Sequence, residues 1–271
     1  MNNDAKPGTA LITGASSGIG AVFARALAEK GYNLILVARR EDRLRALAGT
    51  LTAGRDIHVQ ALTADLVDPA GISCVEGKIR ATPDLSLLIN NAGFGAGGFY
   101  YQIDVSKQLA MIQLHVVATA RLTRAALSAM VARRRGGVIN VASVAGFSIM
   151  PTGAMYCSTK AWLVAFSRAV AEELRGTGVV VQALCPGFTH TEFHDTSEFR
   201  NFRRDMIPKW MWMDADVVVK KSLRAFDRGR TVCIPGLVNK ALVVLMKTEL
   251  GFWLSRYFGR KRWKTCAADA L

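Results

Sequence analysis

Short runs rich in Val, Ile and Leu recur along the chain at residues 10–13, 33–38, 58–63, 85–90, 137–142, 179–184 and 231–234. They lack the alternation of a half-exposed sheet, and continuous apolarity at this length predicts strands covered on both faces. Between them, residues 19–30, 43–51, 105–132, 156–175 and 215–228 read as helices. Strand-like and helix-like stretches in alternation predict parallel βαβ units. The expected fold class is therefore α/β: a doubly wound parallel sheet of about seven strands with helices on both faces, binding its ligand at the carboxyl ends of the strands. The chain has 271 residues, enough for one large core, and no long Pro/Ser-rich or charge-block stretch divides it. Residues 1–236 are expected to form the domain, with 237–271 as an apolar and basic extension packed on it.

The formal charge of +14, from 35 basic and 21 acidic residues, admits nucleic acid, a membrane surface or an anionic small molecule as partner. No zinc finger, RNA-recognition aromatic motif or sustained basic helix is present, so nucleic acid is not expected. The basic runs 133–135 and 260–264 read as solvated clusters at element ends. Residues 1–6 carry no apolar run behind a basic start, which predicts a cytoplasmic protein. Five cysteines, Cys74, Cys157, Cys185, Cys233 and Cys266, are scattered without a Cys-x-x-Cys pair, so neither a metal site nor a disulfide framework is expected. Cys157, next to Tyr156, stands out as a candidate for modification.

The first strand runs into "TGASSGIG", residues 13–20, at the start of a helix. Gly14, Gly18 and Gly20 suit a tight turn and close backbone approach to a pyrophosphate. Ser16, Ser17 and Ile19 lie at a helix N-terminus whose free N–H groups favour an anion. This is the strand-turn-helix context of a dinucleotide-binding Rossmann fold, although Gly-x-x-x-Gly-x-Gly is wider than the commonest fingerprint. The second strand ends in Ala38, Arg39 and Arg40, where a ribose-gripping carboxylate would otherwise stand. Arginine there favours a 2′-phosphate, and so NADP(H) over NAD(H). The other reading makes the arginines a solvated turn and leaves the ribose to Glu41 or Asp42.

Tyr156 precedes Lys160 by four residues, so on a helix both side chains face one space. An ammonium nearby favours ionisation of a phenol whose free pKa is about 10. With "NNAG" at residues 90–93 after the fourth strand, Ser143 after the fifth, and the Tyr156–Lys160 pair on the next helix, the chain resembles the short-chain dehydrogenase/reductase family from residue 9 to about 236. The resemblance implies an NADP(H)-dependent oxidoreductase that interconverts a carbonyl and a secondary alcohol. It makes Tyr156 the general acid or base on the substrate oxygen, Lys160 the group that lowers its pKa and holds the nicotinamide ribose, and Ser143 a hydrogen-bond partner of the substrate oxygen. It also places Asp65 and Leu66 beside the adenine, and Asn91, Ala92 and Gly93 along the cofactor. Pro186 and Gly187 open the nicotinamide-side loop, with Thr189 and Thr191 as its hydrogen-bonding residues.

One position departs from the family pattern. An asparagine expected about twenty-five residues after the first Asn of "NNAG" is replaced by His115. In the family that asparagine holds a water through its main-chain carbonyl. Three readings stay open: His115 substitutes through its main chain, relays protons through its ring, for which a pKa near 6.5 is suited, or is a packed residue that impairs the relay.

Residues 188–213 form a long aromatic and basic stretch expected to cover the active site as a lid, with Phe188, Phe193, Trp210 and Trp212 as an apolar ceiling. The 237–265 stretch is apolar but interrupted by Lys240, Lys247 and Glu249, which argues against a membrane span. It suits a pocket closure, a subunit contact or peripheral membrane contact through Arg260, Lys261, Arg262 and Lys264. The "CPGFTHTEFH", "MWMDAD" and "VCIPGLVNKALV" stretches are similar to a bacterial branch of the family that includes reductases of long-chain β-keto lipids, implying an apolar or long-chain acyl ketone substrate. The family also implies a homodimer or homotetramer through the helices at 105–132 and 156–175. The alternative function is an NADP(H)-binding sensor or scaffold with little turnover.

Overall fold

The computed structural model describes residues 7–150, 152–195, 204–249, 251 and 253. The 260–264 basic run, Cys266 and residues 196–203 of the expected lid lie outside them. Seven parallel strands form one sheet in the order β3-β2-β1-β4-β5-β6-β9. They are β1 (Thr9–Thr13), β2 (Asn33–Ala38), β3 (Val59–Thr63), β4 (Leu85–Asn90), β5 (Gly136–Val141), β6 (Val179–Leu184) and β9 (Val232–Cys233). The order reverses between β1 and β4, and this switch point opens the crevice in which a doubly wound sheet receives its ligand. Two short strands, β7 (Thr189–His190) and β8 (Met213–Asp214), pair in parallel apart from the sheet and tie together the ends of the 188–213 stretch.

Helices α1 (Gly18–Glu29), α2 (Glu41–Thr52) and α7 (Ala215–Asp227) are grouped by a core containing Phe23, Leu27, Leu44 and Val218. A second core, with Ile72, Val75, Leu122 and Met130, covers the other face under α3 (Pro69–Arg80) and α5 (Thr119–Ala132). Burial on both faces explains why the strand sequences do not alternate. The apolar pattern alone did not single out α3. Its local signals are Pro69 at the first turn and Asp68, whose side chain accepts the Ala70 N–H at 2.9 Å.

The helix expected over 105–132 is present along its whole length, but its winding changes within it. It runs as α4 (Val105–Ile112), a π-helical turn over Gln113–Ala118, and then α5. The turn holds His115, which is 1% exposed. Helix α6 (Ala154–Glu173) follows β5, and α8 (Leu237–Met246) follows β9.

The α3–α5 contact carries a clasp of ions. Glu76, 8% exposed, accepts the Nε of Arg121 at 3.0 Å and its Nη2 at 2.5 Å, with Arg80 at 3.7 Å. The hydrogen bonds from Arg121 hold the Glu76 carboxyl below its ordinary pKa. A carboxyl with a depressed folded-state pKa contributes stability that is fully present above its unfolded value and is lost as pH falls through the folded one. Glu76→Gln is therefore expected to cost about 1–3 kcal/mol at pH 7. Its deficit, measured by urea unfolding, should stay constant above about pH 5 and shrink as the pH falls further.

Candidate active site

The glycine-rich turn after β1 is shaped by what lies against it. Gly14 has φ +65° and Gly20 packs on it: a Cβ at Gly20 would fall 2.3 Å from the Gly14 carbonyl oxygen. The first asparagine of "NNAG", Asn90, turns into the sheet, where its amide donates to Asn140 at 2.8 Å and to Thr123 at 3.0 Å, while Asn140 donates to Ser167 at 2.9 Å. Asn91 braces the turn, donating to the Thr13 and Gly14 carbonyls at 3.0 and 3.2 Å, and the Asn91 and Ala92 N–H groups both donate to the Thr13 hydroxyl. Asn140, which the motifs did not flag, joins this network from inside an apolar strand.

At the adenosine end, the structure divides the two predicted arginines. Arg39 leans towards Asp65, at 3.9 Å, with Leu66 buried beside it. Arg40 turns back to the glycine-rich loop and donates to Ser17 at 2.8 Å and to Ser16 at 3.1 Å. Arg43, in the first turn of α2, lies in the same ion-pair group through Glu192. Its signal in the sequence is a third arginine one helical turn from Arg39.

The chemistry-bearing side chains meet where β5, α6 and the loop after β6 converge. Ser143 lies two residues beyond β5 and caps a short turn, accepting the Ala145 N–H at 3.1 Å. The next N–H, of Val144, donates to the Pro186 carbonyl at 3.0 Å and so ties the serine to the loop beginning Pro186–Gly187. Gly146 lets that turn sit on α6, since a Cβ there would fall 2.8 Å from Lys160 backbone atoms. Thr189 and Thr191 bind back into their own loop, with Thr189 donating to the Gly187 carbonyl at 3.0 Å and Thr191 accepting the Phe193 N–H at 3.3 Å.

Lys160 is buried, and its Nζ donates to the Val141 carbonyl at 2.8 Å while standing 5.7 Å from the centre of the Tyr156 ring. Burial lowers its pKa to about 8. The Tyr156 phenol keeps partial access to the cleft, yet burial pushes it up to about 12, against the hydrogen bond from Ser143 that lowers it. In this geometry desolvation outweighs the Ser143 hydrogen bond, and at neutral pH the phenol holds its proton. Such a group is poised to donate to an oxygen in the cleft.

His115 occupies the space between these parts. Its Nε2 accepts the Phe94 N–H at 3.3 Å, and its Nδ1 lies 2.9 Å from the Thr159 hydroxyl. That hydroxyl donates to the Tyr156 carbonyl at 3.0 Å, so it can accept from His115 only as an Nδ1–H tautomer, which leaves Nε2 bare for Phe94. Both ring nitrogens are thus engaged. Burial, with Lys160 nearby, holds the ring well below its ordinary pKa. Gly93 makes room, since a Cβ there would fall 2.9 Å from His115 Nε2 and 3.6 Å from Lys160 Nζ.

Of the four expected ceiling aromatics, Phe193 faces the site, its ring 6.0 Å from that of Tyr156. Phe188 packs on Trp212 at 5.5 Å, with His190 stacked on the same indole at 4.9 Å, and Trp210 is 65% exposed. Cys157 is buried and its thiol is pushed up by burial, which removes the thiolate that modification requires. The extension beyond residue 236 reaches the site through α8. Asn239 is buried against Gly187, where a Cβ would fall 2.4 Å from its Oδ1, and Lys247 lies 5.2 Å over the Phe147 ring. No described helix is long and apolar enough to cross a membrane.

Residues 8–200 match the family model described as short chain dehydrogenase. A very-long-chain 3-oxoacyl-CoA reductase of Pyrenophora tritici-repentis is 40% identical over 181 residues, 65% of this chain and 53% of that one, so the match spans about half its length. Among solved structures, a short-chain dehydrogenase from Sphingobium yanoikuyae in complex with NADPH is 37% identical with a TM-score of 0.79, covering 85% of this chain and 88% of that one. The bulky-bulky ketone specific alcohol dehydrogenase from Comamonas testosteroni is 32% identical with a TM-score of 0.77, covering 89% and 94%. The chain belongs to the short-chain dehydrogenase/reductase family and is an oxidoreductase acting between carbonyl and alcohol.

A buried histidine with a depressed folded-state pKa contributes stability that is full above about 6.5 and is lost as pH falls through the folded value. His115→Asn removes that dependence. By urea unfolding, the stability of the wild type should fall relative to the variant between about pH 6.5 and 5. Turnover of His115→Asn should remain within about tenfold of wild type. A hundredfold loss would assign the ring a direct part in proton transfer.

Proposed function

We propose that the chain is an NADP(H)-dependent ketone reductase with an apolar or long-chain acyl substrate. The observation that carries the reading is the convergence of Ser143, the Tyr156 phenol and the buried Lys160 ammonium, whose Nζ stands 5.7 Å from the Tyr156 ring. A carbonyl oxygen placed between Ser143 and Tyr156 would accept hydrogen bonds from both, and the phenol would give it a proton as negative charge develops. The phenolate left behind would be balanced by Lys160. His115 supports the pair, fixing Thr159 on α6 and the Phe94 backbone on the opposite wall, which is the packed role among its readings.

The cofactor site fits a dinucleotide with a 2′-phosphate. Gly14, Ser16, Ser17, Gly18, Ile19 and Gly20 would take the phosphates and Leu66 the adenine side. Arg40, with Arg39 and Arg43, would take the 2′-phosphate, and Glu192 sets a carboxylate among these arginines, as an anion would sit. Asn91, Ala92 and Gly93 and the Pro186–Thr191 loop would line the rest. When bound, the nicotinamide supplies hydride.

The substrate class rests on Phe193 against Tyr156 and on Tyr100, Tyr101, Ile149, Met150 and Trp210, large apolar side chains left exposed on loops at the carboxyl edge of the sheet. The long-chain substrate named for the fungal relative and the bulky ketone named for the Comamonas enzyme agree with it. Exposed Val105 and Leu109 on α4 suit the homodimer or homotetramer. The exposed Leu237 and Val244 of α8 suit peripheral membrane contact.

Tyr156→Phe should lower turnover by about two to four orders of magnitude and leave NADPH binding, followed by fluorescence titration, unchanged. NADPH oxidation against β-keto esters and thioesters of increasing length should give kcat/KM values that rise with chain length. Activity confined to short polar ketones would remove the long-chain substrate from the reading.

A further inference from the structure

The carboxylate of Glu192 sits on the arginines assigned above to the cofactor. Its Oε1 and Oε2 accept the Nη1 of Arg43 at 3.0 and 2.8 Å, and Oε2 lies 3.4 Å from the Nη1 of Arg40. Arg40 meanwhile holds Ser16 and Ser17 of the glycine-rich turn. These residues come from three places, the first βα turn, the start of α2 and the stretch after β7, and they meet at one anion.

Glu192 is also mechanically connected. It follows Thr191, whose side chain lies against the glycine-rich turn: a Cβ at Gly18 would fall 3.3 Å from it. From the far side of the 188–213 stretch, Arg204 donates to the Thr191 carbonyl at 2.8 Å and to Asp195 at 2.7 Å, and its guanidinium lies 5.5 Å over the Trp212 ring. Both roots of the stretch, 191–195 and 204–212, are therefore joined to each other, and Glu192 pins them to α2. Phe193, the next residue, is the one that faces Tyr156.

We propose that Glu192 is an internal competitor for the 2′-phosphate, holding Arg40 and Arg43 until that phosphate displaces it and so frees residues 191–195, which carry Phe193 against Tyr156. This rests on the reading of the arginines as a 2′-phosphate site. A phosphate monoester carries about 1.5 to 2 negative charges at pH 7 and outcompetes a single carboxylate for two guanidinium groups. A dinucleotide without the 2′-phosphate leaves Glu192 in place. Glu192 thereby makes discrimination between the two cofactors a contest at one pair of side chains, and couples its outcome to the segment carrying Phe193.

Calorimetry on the full chain separates the parts, with adenosine 2′,5′-bisphosphate and AMP as probes, on wild type and Glu192→Gln. Glu192→Gln should bind the bisphosphate about two- to fivefold more tightly, the size of a solvent-exposed ion pair, and AMP unchanged. In wild type, amide hydrogen exchange across residues 191–195 and 204–212 should rise on adding the bisphosphate and not AMP. In Glu192→Gln it should be raised before any ligand is added. A wild type that does not distinguish the bisphosphate from AMP overturns the arginine assignment and the proposal with it. A wild type that does distinguish them, with Glu192→Gln binding the bisphosphate equally or more weakly, or with exchange at 191–195 falling on binding, overturns the role of Glu192 alone.

Discussion

A buried ammonium is the constraint around which the rest of the site is arranged. Lys160 loses most of its hydration and is held by the last carbonyl of β5, so it can exist only where a strand ends against a helix and the surroundings stay open enough to reach it. Gly93 and Gly146 supply that room, one near the ammonium and one under its own backbone. The cost of desolvating Lys160 appears as a pKa lowered to about 8, and the same enclosure raises Tyr156 to about 12. The two shifts draw the pair towards neutrality, which suits an acid that gives up its proton only when a receiving oxygen arrives.

The sheet beneath the site must hold this arrangement still. Asn90, Asn140, Thr123 and Ser167 link β4, β5, α5 and α6 in a buried polar chain between apolar layers. Such a network penalises any slip of β5 against β4, because each amide would lose its partner inside the core. The serine and the lysine's carbonyl both belong to β5 or its end, so their register is set by these amides.

Strands, glycine-rich turn and the Tyr156–Lys160 pair were legible because each is a local pattern with a local cause: uninterrupted apolar runs, glycines where a Cβ would collide, and a tyrosine and lysine one helical turn apart. What stayed hidden depends on distant contacts. Nothing near Asn140 in the chain announces that it faces Asn90 on the neighbouring strand, and Glu192 reads as a loop residue until the fold brings Arg43 to it. His115 could be located by spacing, but its tautomer follows only from Thr159 and Phe94, contributed by two other elements. The π-helical turn inside the 105–132 helix was equally silent, because no Gly or Pro in that stretch marks it.

That π-helical turn also acts as a phase adjuster. Each residue advances an α-helix by roughly 100°, and a turn with one extra residue lets the segment before it and the segment after it choose their faces separately. Helix α4 presents Val105 and Leu109 outwards, whereas α5 must turn Leu122, Ala126 and Met130 onto the sheet. The outer surface of α4 is therefore free to change with whatever it meets while the imidazole and the core face of α5 keep their bearings.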